Sequence, residues 1–68
     1  MSTIQIRFNG ELKEVSSNTL GSLLEEFSLQ NKKVAVELNK EIVSRDSYSQ
    51  TKLSAGDSVE IVTFVGGG

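Results

Sequence analysis

The residues of this chain best placed to do chemistry are its last six, Thr63-Phe64-Val65-Gly66-Gly67-Gly68. Glycine has no Cβ, so this backbone can enter a slot too narrow for a side chain. Fully extended, three residues reach roughly 10 Å. At the tip, with Gly68 read as the terminus, stands an α-carboxylate that is ionised at neutral pH. It is a bare oxygen nucleophile on a flexible arm, presented for another protein to modify. A frayed chain end would look the same, so the glycines alone leave both readings open.

Composition narrows the choice. The 68 residues contain no Cys, hence no thiol nucleophile, disulfide or thiolate metal site, and no His, the usual general base and commonest metal ligand. No catalytic pair of the Ser-His or Cys-His kind can be built from this chain, and no catalytic or metal-ligating residue is assigned. Nine acidic and seven basic residues leave a net charge of −2, which argues against nucleic acid as a partner. No apolar run has the length of a membrane span and no signal peptide opens the chain. The expectation is one soluble, cytoplasmic domain that binds no cofactor of its own: residues 1–65 form the body and 66–68 the tail.

The body must position that tail. Ile4, Ile6 and Phe8 alternate with Gln5 and Arg7, the period of a half-buried strand. Asn9-Gly10 signals a two-residue hairpin turn in which both residues take positive φ. Residues 11–15 return as an edge strand with Leu12 expected inward, and Val15 then breaks the alternation. Thr19 is the expected helix N-cap, followed by Leu20, Leu23, Leu24 and Phe27 on one helical face. Gly21 suggests close approach of helix and sheet, and the helix should fade by Ser28 to Leu29. Val34, Val36 and Leu38 point inward from a third strand, with Ala35 and Glu37 outward. Asn39-Lys40 is a second tight turn, Glu41 to Val43 a short return strand, and Tyr48 and Leu53 anchor the irregular stretch after it. Gly56 turns the chain into a last strand with Val59, Ile61 and Thr63 inward. Val62 and Phe64 then face outward where a one-sided sheet should be polar. Beside a candidate reactive end, such a cluster, extended by Ala35, reads as a docking surface.

Phe8-Asn9-Gly10, Thr19 to Leu24, Val34 to Asn39, Ile42 to Arg45 and Gly56 to Val62 run in this order into the terminal glycines. Together they resemble the ubiquitin-like β-grasp fold, and more closely the ThiS family, the bacterial sulfur carriers of thiamine biosynthesis. The resemblance implies an α+β fold with a mixed five-stranded sheet packed on one main helix, the first and last strands adjacent and parallel. It further implies a protein co-substrate rather than an enzyme. A ThiF-like adenylating enzyme, using ATP and Mg²⁺, would activate the carboxylate of Gly68. A persulfide donor protein would convert it to a thiocarboxylate, and a ThiG-like thiazole synthase would take the sulfur. Gly66 and Gly67 would thread the partner's slot, while Val62, Phe64, Val65 and Ala35 would touch partners.

Two features depart from the family pattern. Gly66 makes three glycines of the usual two, and no Gly closes the helix. A molybdopterin-type carrier shares the tail chemistry but is typically longer, so the short chain favours the thiamine role. A ubiquitin-like modifier joined to lysines, or an inert interaction domain, are the readings from other classes.

Overall fold

The computed structural model describes residues 2–63. Seven elements follow in order: β1 (Ile4–Phe8), β2 (Glu11–Val15), α1 (Leu20–Glu26), β3 (Val34–Leu38), β4 (Glu41–Val43), a 3-10 helix (Arg45–Gln50) and β5 (Ser58–Thr63). The strands form one sheet in the order β2-β1-β5-β3-β4. β5 is central, parallel to β1 and antiparallel to β3. Parallel neighbours require a long crossover, and everything between β1 and β5 supplies it. This is the mixed sheet on one helix expected of a β-grasp.

The core is the set of side chains that alternation and helical spacing place inward. Ile6, Val36, Val59 and Ile61 from the sheet meet Leu20, Leu23 and Leu24 from α1, closed by Val15 and Leu53. Phe8 stacks on Phe27 with centroids 4.7 Å apart and planes 6° from parallel, and Tyr48 packs against the same cluster. Apolar burial of this kind contributes about 25 cal/mol per Å². Thr19 caps α1 as expected, its hydroxyl accepting from Ser22 N–H at 3.1 Å. Among the described residues no helix is long and apolar enough to cross a membrane.

Several expectations need correction. Leu12 is not inward: β2 pairs with β1 so that Leu12 lies opposite Arg7 on the outer face, 59% exposed. Val15, opposite Ile4, is the buried residue of that strand, so the alternation is unbroken once its phase is reversed. The inner-face positions Glu11 and Lys13 lie on the edge strand and form an ion pair at 3.7 Å. Thr63 does lie on the inner face, opposite Val34, yet it is exposed because the sheet outruns the core there. Gly21 does permit a close approach, but to the 3-10 helix rather than the sheet. A Cβ on Gly21 would stand 3.3 Å from Ser49 Cα.

The end of α1 shows how a helix closes without glycine. Ser28 takes φ 61°, its N–H donates to Glu25 O at 3.0 Å, and Leu29 N–H donates to Leu24 O at 2.7 Å. These paired bonds define a Schellman closure. Leu24 and Leu29, both packed in or against the core, fall where its apolar contact belongs.

Candidate functional site

β5 is the element that precedes residues 64–68, and several contacts hold its start. Its first half lies between β1 and β3, with Ser58 opposite Arg7 and Val59 opposite both Phe8 and Leu38. Gly56 N–H donates to Gln5 O at 2.8 Å, and Arg7 N–H to Asp57 O at 2.9 Å. The entry into β5 is thereby tied to β1.

Two turn asparagines fasten the strand further. Asn39 and Lys40 both take positive φ, 53° and 73°, so left-handed geometry is shared by both residues of this turn and not supplied by Asn39 alone. Asn39 Oδ1 accepts from Ser58 N–H at 2.9 Å, and its Nδ2 donates to Asp57 Oδ1 at 3.1 Å. Asp57 Oδ2 in turn accepts from Ser54 N–H at 2.8 Å. Asn9, in the β1–β2 turn with φ 51°, reaches Ile61 from the opposite flank. Its Oδ1 accepts from Ile61 N–H at 2.8 Å and its Nδ2 donates to Ile61 O at 3.3 Å.

The outer face of the sheet carries two of the apolar residues expected there, and one more. Val62 is 59% exposed, with Ala35, half-buried, directly opposite on β3. Residues directly opposite across two strands point the same way. Ile42 on β4 therefore shares this face through its partner Glu37, and at 78% exposed it was missed in the sequence. The signal that could have found it is the cross-strand register, which alternation within a three-residue strand does not reveal. Leu12 is exposed on the same face but on the far edge strand, away from β3 and β4.

Between Val62 and Ile42 the register sets Glu37 against Glu60. Like charges directly opposite are destabilising, by a fraction of a kcal/mol. Among the described residues neither glutamate has an ion-pair partner.

Of the residues proposed for the site, Val62 and Ala35 are thus brought together. Phe64, Val65, Gly66, Gly67 and Gly68 lie outside the described residues. Two hollows open on the helix side of the sheet. One, of about 240 Å³, is lined by Leu24, Leu29, Val34, Tyr48 and the cations Lys32, Lys33 and Arg45. The other, of about 560 Å³, lies along Thr19, Gly21 and Ser22 beside the 3-10 helix. Glu25, Ser22 and Ser49 share the second lining, but among the described residues neither serine is hydrogen-bonded to that carboxylate. Among the described residues no group of three or more metal-ligating side chains is assembled.

Comparison with known proteins agrees with this architecture. The model of the ThiS family matches residues 6–68. A sulfur carrier protein ThiS of Bacillus subtilis is 46% identical over 52 residues, covering 76% of this chain and 79% of its own. The crystal structure of a thiamine biosynthesis protein (ThiS) from Geobacter metallireducens superposes with a TM-score of 0.81 at 32% identity. That match covers 96% of this chain and 100% of that one. A thiazole synthase of Paramagnetospirillum magneticum is 44% identical over 66 residues, 96% of this chain, which spans only 20% of that protein's length.

Proposed function

The chain belongs to the ThiS family of sulfur carriers in thiamine biosynthesis, and we propose that it carries the sulfur on the carboxyl carbon of Gly68. A carboxylate is a poor acyl donor because its leaving group would be oxide. Attack by the Gly68 carboxylate on the α-phosphate of ATP expels pyrophosphate and leaves an acyl-adenylate, with AMP as the new leaving group. A persulfide sulfur then displaces AMP, and cleavage of the sulfur–sulfur bond by a thiol leaves the thiocarboxylate. One carboxylate oxygen departs with AMP and one sulfur takes its place. The chain contains no Cys, and the carboxyl of Gly68 is the proposed acceptor of the sulfur.

ATP, Mg²⁺ and the catalytic groups belong to a ThiF-like adenylating enzyme, and the sulfur passes to a ThiG-like thiazole synthase. The P. magneticum relative supports the second partner, because a thiazole synthase that contains a segment similar to this chain places carrier and acceptor on one polypeptide. Covalent linkage of two modules turns their encounter into an intramolecular event, which is useful only where they act on one another.

The observation that carries the reading is the outer face beside the last strand, where Val62, Ala35 and Ile42 stand exposed or half-exposed. Such an exposed apolar face supports a docking role. The test is pyrophosphate release by the adenylating enzyme of the same organism, with ATP and Mg²⁺, on addition of this chain. Release that depends on the chain supports the proposal; none at any concentration overturns it.

A further inference from the structure

The amide of Asn9 does what a strand residue would do. A primary amide carries a C=O acceptor and an NH2 group in one plane, so it can offer an acceptor and a donor side by side to a strand edge. The Asn9 backbone N–H donates to Val59 O at 2.9 Å and the side chain then makes the next two bonds, both to Ile61. Residue pairing between β1 and β5 ends at Phe8 and Val59, because the backbone turns away at Asn9 into β2. The side chain continues the ladder by one further rung after the strand itself has left.

We infer that Asn9 is a positioning residue for the tail: by clasping Ile61 it holds the end of β5 on its β1 flank and so fixes where the chain is delivered to the partner enzyme. On the other flank β3 pairs with β5 as far as Thr63. Without the clasp, Ile61 to Thr63 hang from β3 alone. That stretch includes Val62, so docking face and tail origin loosen together. Residues that fray must be ordered again on docking, and about 1 Å of misplacement at a reacting atom can cost about a hundredfold in rate. This inference rests on the proposed adenylation of Gly68.

Asn39 provides the internal control, since it is also a left-handed turn asparagine bonded to β5, but at Ser58, the start of the strand. Asn9→Gly and Asn39→Gly both suit positive φ and each removes one clasp. Asn9→Asp is the second variant for the test: it keeps the acceptor for Ile61 N–H but sets an acceptor against Ile61 O. Amide hydrogen exchange and pyrophosphate release are measured on all of them, well below their melting temperatures. Asn9→Gly should speed exchange at Ile61, both Asn9 variants should lower kcat by about tenfold, and Asn39→Gly keeps the wild-type kcat. A purely structural role would lower Tm in both glycine variants and kcat in neither, which overturns the inference. Unchanged exchange at Ile61 in Asn9→Gly overturns it as well. A wild-type chain that releases no pyrophosphate is a different result: it overturns the adenylation reading and this inference with it.

Discussion

Val62 sits on the central strand of the sheet with its side chain 59% exposed. Its environment separates binding from folding. Replacing it with Asp places a charge where solvent already reaches, so Tm should change little. In a complex that buries this face the same charge must lose water without a partner, a cost of several kcal/mol. Val62→Asp should therefore weaken binding to the adenylating enzyme or thiazole synthase at least tenfold by calorimetry. Unchanged affinity would remove Val62 from the interface. Glu60 makes the opposite case for stability: Glu60→Gln relieves the like-charge pair with Glu37 and should raise Tm slightly. Gly67→Ala adds a single methyl but narrows φ/ψ and fills the proposed slot. An extra residue after Gly68 moves the carboxylate by roughly 3.5 Å. Both variants should bind the adenylating enzyme and give little pyrophosphate, the extended chain least. Wild-type release from the extended chain, its added residue still in place, would show that Gly68 is not the reactive end.

At the scale of elements, the helix end and the second turn both hold non-glycine residues in the left-handed region. Ser28 takes φ 61° and Lys40 φ 73°. Holding such a residue there costs about 1–2 kcal/mol, and glycine gives back about 0.5–1 kcal/mol in unfolded-state entropy. Ser28→Gly and Lys40→Gly should each stabilise the fold by about 0.5–1 kcal/mol, a rise of a few degrees in Tm for a domain of this size. Thermal unfolding by circular dichroism measures this, and a fall in Tm for Ser28→Gly would mean that its side chain matters more than its backbone strain.

These elements also show what the sequence revealed. Ile4, Ile6 and Phe8, the leucines of α1 and the Asn9-Gly10 turn each carry a local pattern, and each stands where that pattern puts it. Leu12 did not, because a five-residue edge strand with one apolar residue near each end has two possible phases, and only pairing with Arg7 selects one. The closure at Ser28 was hidden by the absence of glycine, although Leu24 and Leu29 already had the spacing of its apolar contact. The clasps of Asn9 and Asn39 could not be read at all. Asn9 is 52 residues from the strand it holds, and its turn signal already accounts for its presence. Of the outer apolar face, alternation placed Val62 and Ala35, whereas Ile42 needed the register of β4.

For the whole molecule, the nine buried apolar side chains fill one layer between sheet and helix. The hollow beside the 3-10 helix sets Ser22, Ser49 and Glu25 in one lining, and no hydrogen bond joins either serine to that carboxylate among the described residues. Under the proposed function this body serves as a handle for the tail. The central claim is therefore covalent: sulfur is installed at Gly68. The chain is incubated with its adenylating enzyme, ATP, Mg²⁺, a persulfide donor and a thiol, and its intact mass is then measured. The expected result is a mass gain equal to the exchange of one oxygen for one sulfur, mapped to Gly68 by fragmentation and absent when ATP is withheld. An unchanged mass, or a chain joined instead to lysines of other proteins, would contradict the account.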